Sequence, residues 1–102
     1  MRRTDITESL VFSDPYFDAK LNRHTSPQLD GIVAQLRADR DLKVAAQRLK
    51  HIFAATPETL LHGDFHTGSV MVTPGQTRVI DPEFAFYGPM AFDVGMLLAN
   101  FW

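Results

Sequence analysis

The chain has 102 residues, no cysteine, a formal net charge of −2 and 45% hydrophobic residues. That suffices for one small domain with a modest core, excludes disulfide and thiolate chemistry, and gives no electrostatic case for nucleic acid or an acidic membrane surface. No apolar run approaches the roughly 20 residues that span a bilayer, Met1-Arg2-Arg3-Thr4-Asp5 opens no signal peptide, and the lack of cysteine fits a reducing cytoplasm.

Residues 4–24 show no clear period. Leu10-Val11-Phe12 suits a short strand or a buried helical turn, Ser13-Asp14-Pro15 is a turn signal, and the segment as a whole reads as a surface loop under a few aromatics. Residues 26–38 are predicted helical, with Ser26 as N-cap and Pro27 at the first helical position. Leu29, Ile32, Val33 and Leu36 form the apolar stripe. A second helix is expected at 41–54, striped by Leu42, Ala45, Ala46, Leu49, Ile52 and Phe53. Asp39 or Asp41 caps it, and Thr56-Pro57 ends it, because a residue before proline disfavours the α region. His51 lies one step off the stripe and reads as a half-exposed helix residue rather than a ligand.

Thr59-Leu60-Leu61 reads as a short strand. Val70-Met71-Val72 and Arg78-Val79-Ile80 read as a hairpin joined by Thr73-Pro74-Gly75-Gln76-Thr77, with Pro-Gly as the turn signal. From Pro89 onward a helix that is apolar nearly all round predicts burial. It runs to Met96-Leu97-Leu98-Ala99-Asn100-Phe101-Trp102 without a stop signal, which points to a chain that stops inside a larger fold.

The chemistry gathers around the hairpin. Folding it about Gly75 sets position 69 opposite position 81, so Ser69 and Asp81 are expected to meet at its open end, with Asp64 and His66 entering there and Glu83 leaving. Like charges packed together need a cation. Asp81 and Glu83, linked by Pro82, suit a hard divalent ion, Mg²⁺ above all. Asp64 then stands free to take a proton from a substrate hydroxyl, on a loop whose Gly63 and Gly68 permit a tight backbone. These are the parts of a phosphoryl-transfer site. A metallohydrolase using His62-x-Asp64-x-His66 as a metal triad is the competing chemistry, and the flanking glycines argue for a loop rather than the strand that triad needs. Each of these residues alone is also an ordinary turn former.

His62-Gly63-Asp64-x-His66, a hairpin and then Asp81 resemble the catalytic loop and metal aspartate of the aminoglycoside phosphotransferase and choline kinase superfamily, which has a protein-kinase-like fold. Ser69 stands where most of that superfamily has Asn. With that departure, Asp81-Pro82-Glu83-Phe84-Ala85-Phe86-Tyr87-Gly88-Pro89, Phe92-Asp93-Val94-Gly95 and the earlier stretch from Ile6 to Tyr16 resemble the S-methyl-5-thioribose kinase family in particular.

The resemblance implies an α+β fold, a partial C-terminal lobe with helices packed on the hairpin that carries the catalytic loop. Residues 1–102 would form that lobe, without the ATP-grasping N-terminal lobe. It implies ATP-dependent phosphorylation of the 1-hydroxyl of methylthioribose in methionine salvage, with ATP and Mg²⁺, in the cytoplasm, by an enzyme that is a homodimer at full length. Asp64 would be the catalytic base, and Asp81 and Glu83 would hold Mg²⁺, with Ser69 at the metal-side Asn position. His62, Gly63, His66 and Gly68 would shape the loop, and Asp93 would brace it. No glycine-rich phosphate loop precedes a lysine strand here, so the isolated chain is expected to lack useful kinase activity. A fragment of an aminoglycoside, choline or homoserine kinase, and a non-catalytic remnant, are the alternatives.

Overall fold

The computed structural model describes residues 3–102. The signal-peptide reading rests partly on Met1 and Arg2, which lie outside the described residues. Helices and short antiparallel strands make up two units, residues 1–55 and 56–102, in keeping with the α+β expectation. No helix among the described residues is long and apolar enough to cross a membrane.

In the first unit, α1 (Arg3–Glu8) runs into a π-helical turn, Ser9–Ser13, and then a 3-10 turn, Asp14–Tyr16. Residues 3–16 are thus helical where a surface loop was expected, with a helical turn at Leu10-Val11-Phe12 as one of its two alternatives, while residues 17–24 are irregular. The wide turn adds a residue to the repeat and shifts the phase of the apolar positions, which hides the helical period. The segment is held by α3 (Arg40–Ala55). Phe12 packs on Phe53 with ring centroids 5.2 Å apart. Gln47 donates its side-chain N–H to the Phe12 carbonyl at 3.0 Å, and Lys50 reaches the Ser13 hydroxyl at 2.7 Å. Phe53 and Ala46 are the buried residues of α3.

α2 spans Asp30–Ala38, four residues shorter at its start than predicted. Ser26 is not its N-cap. Its hydroxyl donates to the Asp30 carboxylate at 2.8 Å, while His24 Nε2 lies 2.9 Å from the same group. Residues 26–29 form turns instead of helix. No residue of α2 is buried, and Ile32 on its apolar stripe is 56% exposed. α3 matches its prediction to within a residue at each end. Asp39 caps it, accepting the Leu42 N–H at 3.0 Å, and the helix stops at Ala55 before Thr56-Pro57. His51 is exposed on α3.

The Asp30 cluster carries a pH prediction. The Ser26 hydroxyl, and after it His24, hold the Asp30 carboxyl below its ordinary value. A carboxylate with a lowered folded-state pKa contributes stability at neutral pH, and that contribution is lost as pH falls through the lowered value. Ser26→Ala should therefore raise the Asp30 pKa, as read by NMR titration of its side-chain carbon. An unchanged titration would show that the hydroxyl contact is not maintained.

In the second unit, β1 (Thr59–Leu61) pairs antiparallel with β4 (Phe86–Gly88), Leu61 opposite Phe86. Both side chains are buried, and Phe92 meets Phe86 edge-on at 5.8 Å. Burial of two such side chains contributes roughly 2 kcal/mol each. β2 (Val70–Thr73) and β3 (Gln76–Val79) form the predicted hairpin, with Pro74-Gly75 as a two-residue turn and Gly75 at φ +78°. The register differs from expectation by one residue. Val70 faces Val79, so position 69 falls opposite 80 rather than 81, and the Ile80 N–H donates to the Ser69 carbonyl at 2.8 Å. The fold axis of the hairpin passes between Pro74 and Gly75, not through Gly75.

α4 (Met90–Ala99) lies against β1. The predicted burial on all sides does not occur. No residue of α4 is buried, and Val94 and Leu98 are 56% and 50% exposed. One side of α4 meets the β1–β4 pair through Phe92, and the other apolar side is open.

Candidate active site

The loop from His62 to Ser69 leaves β1 where the β1–β4 pairing ends. Its first turn is tight. Gly63 has φ +88°, and a Cβ there would sit 2.5 Å from the Phe84 carbonyl oxygen. Asp93, in the first turn of α4, accepts the His62 N–H at 2.7 Å and the Gly63 N–H at 3.1 Å. One carboxylate thus satisfies two backbone donors that the end of the strand leaves without ladder partners.

The two histidines brace the loop from within. His62 Nδ1 accepts the Asp64 N–H at 3.2 Å, and Nε2 lies 2.6 Å from the Ile80 carbonyl. An acceptor at Nδ1 requires the proton on Nε2, so these two contacts fix the neutral tautomer and tie the loop to the end of β3. His66 Nδ1 accepts the Gly68 N–H at 3.1 Å, which opens the 3-10 turn Thr67–Ser69. That same arrangement turns His66 Nε2 toward Asp64, 3.7 Å from its Oδ2. Gly68 accommodates the His66 ring, since a Cβ would lie 2.7 Å from it.

Ser69 is buried. Its hydroxyl donates to the Asp64 carbonyl at 3.2 Å and its N–H to the His66 carbonyl at 2.9 Å. Asp64 is therefore gripped through its backbone on both sides, while its carboxylate stays about half exposed.

Asp81 follows β3 in a left-handed conformation, φ 58° and ψ 53°, which few non-glycine residues adopt outside turns and functional sites. This reversal leads into the 3-10 turn Pro82–Phe84 that carries Glu83. Both carboxylates are exposed. Among the described residues, no three His, Asp or Glu side chains are grouped closely enough to hold an ion. The carboxylates of the loop and the hairpin end therefore do not by themselves form a ready three-ligand ion site, and Ser69 bonds Ile80 rather than facing Asp81. The same observation removes the His62, Asp64, His66 triad, whose two Nδ1 atoms are committed to loop N–H groups. Asp81 and Glu83 present exposed hard oxygen donors two positions apart, the ligand type that Mg²⁺ takes when phosphate and water complete its shell.

Sequence reasoning missed Asn100. Its Oδ1 accepts both the Thr67 N–H and the Thr67 hydroxyl, each at 3.2 Å. The available signal was its place two helical turns beyond Asp93, on the same face of α4.

Residues 2–102 match the family model described as Phosphotransferase enzyme family. The chain belongs to this family. Its likeness to individual members is high. It is 58% identical over 95 residues to Methylthioribose kinase 1 of Oryza sativa subsp. japonica, covering 93% of this chain and 22% of that relative. Methylthioribose kinase of Escherichia coli is 50% identical over 95 residues, covering 93% of this chain and 23% of the relative. The Bacillus pumilus enzyme of the same name is 49% identical over 96 residues, 94% of this chain and 24% of the relative. This phosphotransferase-family chain therefore spans about a quarter of the length of the curated relatives it matches.

Proposed function

We propose that this chain is the catalytic-loop segment of a kinase that phosphorylates the 1-hydroxyl of S-methyl-5-thioribose with ATP, a step of methionine salvage. The observation that carries the reading is the likeness to proteins named methylthioribose kinase over 93% of the chain, across the whole stretch that builds the loop. Residues 1–102 would be part of the C-terminal lobe, with the lobe that grasps ATP supplied by sequence outside this segment. An ATP-consuming step and a cysteine-free chain fit a cytoplasmic setting, and a homodimeric full-length enzyme is part of the same reading.

In this account Asp64 is the base. Its carboxylate takes the proton of the sugar hydroxyl as that oxygen forms a bond to the γ-phosphorus and the bond to the bridging oxygen of ADP breaks. The exposed carboxylate on a braced backbone supports this role, because a base must reach a substrate yet hold its place. Asp81 and Glu83 would hold Mg²⁺, which supplies charge neutralisation at the phosphates when bound. His62, His66, Gly63, Gly68, Ser69 and Asp93 would support the loop, with Ser69 acting through its hydroxyl on the Asp64 carbonyl.

The test uses the complete kinase that carries this segment, assayed with ATP against methylthioribose, an aminoglycoside, choline and homoserine. Turnover of methylthioribose to its 1-phosphate is expected. Turnover of one of the others alone would overturn the substrate assignment. The 102-residue chain by itself is expected to give no turnover.

A further inference from the structure

We infer that Asn100 is a positioning residue for Asp64, acting through Thr67 from the far end of α4. The inference rests on the proposed function for its kinetic arm and on geometry alone for its structural arm. α4 holds the loop at two points. Asp93 takes the N–H groups of His62 and Gly63 where the loop begins. Asn100, seven residues later and two turns along the helix, takes the N–H and hydroxyl of Thr67, three residues beyond Asp64. Asp64 thus lies between two anchors on one helix face.

The Asn100 amide is itself oriented. Its Nδ2 donates to the Met96 carbonyl at 2.9 Å, one turn back, which leaves Oδ1 as the atom that faces Thr67. An Asn at a helix end is commonly there because it tolerates a left-handed backbone. That does not apply here, since Asn100 has φ −70° and ψ −13°, open to any residue. The side chain, not the backbone, is what the position uses. Each bond to Thr67 is long and near solvent, so the contribution to global stability is small. The effect falls on where the loop sits, and a base displaced by a fraction of an ångström loses rate rather than binding.

In the complete kinase, Asn100→Leu is expected to lower kcat about tenfold, with KM for sugar and ATP unchanged within about twofold. Asn100→Asp keeps an acceptor toward Thr67 and is expected to recover most of the rate. Thr67→Val, an exposed position that loses only the hydroxyl, is expected to fall between them. Hydrogen exchange of the 64–69 peptide, followed by mass spectrometry, needs no substrate and should quicken in Asn100→Leu while peptides of α3 do not change. An unchanged kcat, a change in KM alone, or equal rates for the Leu and Asp variants would overturn the inference. Should the wild type fail to turn over methylthioribose, the substrate reading falls, and the exchange comparison alone decides the role of Asn100.

Discussion

Asp64→Asn is expected to lower kcat of the complete kinase by about 10³-fold or more while leaving ATP affinity within about twofold and stability within about 1 kcal/mol. The separation follows from how the residue is held. Its N–H is fixed by His62 Nδ1 and its carbonyl by the Ser69 hydroxyl, and neither contact uses the carboxylate. The carboxylate is about half exposed, and His66 Nε2 is 3.7 Å from it, beyond hydrogen-bond reach. Asparagine keeps the shape and the backbone grip and removes only the basic oxygen. Steady-state kinetics, a fluorescent ATP-analogue titration and denaturant unfolding measure the three parts of the expectation. A near-normal rate would mean that Asp64 is not the base.

Gly63→Ala is expected to be the most damaging single-methyl change on the chain, at roughly 2–5 kcal/mol of stability. Two costs act together. The φ of +88° is one that L side chains rarely adopt, and the added methyl would come 2.5 Å from the Phe84 carbonyl oxygen, a backbone atom that cannot swing aside. Gly75→Ala is the internal control. Its φ is +78°, but nothing lies within 4 Å of the new methyl, so only the conformational cost of about 1–2 kcal/mol remains. Denaturant unfolding of both variants measures the difference. Equal destabilisation would show that the strand end and the Phe84 turn do not approach as closely as described.

The parts of the fold set by short-range chemistry were legible in the sequence. α3 could be bounded because its apolar stripe, the Asp39 cap and Thr56-Pro57 all act within a few residues of the helix. The hairpin was legible from Pro74-Gly75, yet its register was not, because a turn centred on Gly75 and one centred between the two residues have the same composition. β4 was missed, since Phe86-Tyr87-Gly88 is a strand only by pairing with Thr59–Leu61, far back in the chain. Gly88 belongs to that pairing, where a Cβ would press on Phe86 and Leu61 at 2.9 and 3.0 Å. The π-helical turn at Ser9–Ser13 erased the period that would have marked the first segment as helical.

The candidate site divides in the same way. The residue types of the loop pointed to phosphoryl transfer because a base, hard-metal carboxylates and a glycine-tightened loop occur together in few other chemistries. What the loop residues do for one another was less visible. The Asp93 carboxylate reaches back 31 residues to His62, and Asn100 reaches back 33 residues to Thr67. Both contacts depend on how α4 returns against β1, which no local pattern encodes.

The most direct test of the account is the product formed by the wild-type kinase and by Asp64→Asn, side by side, in ATP, Mg²⁺ and methylthioribose, followed by ³¹P NMR. The account predicts one new phosphate ester, on C1 of the sugar, matched by ADP in the wild type and absent from the variant over the same period. The same ester at the same rate from Asp64→Asn, or ADP formed with no sugar phosphate by the wild type, would contradict it.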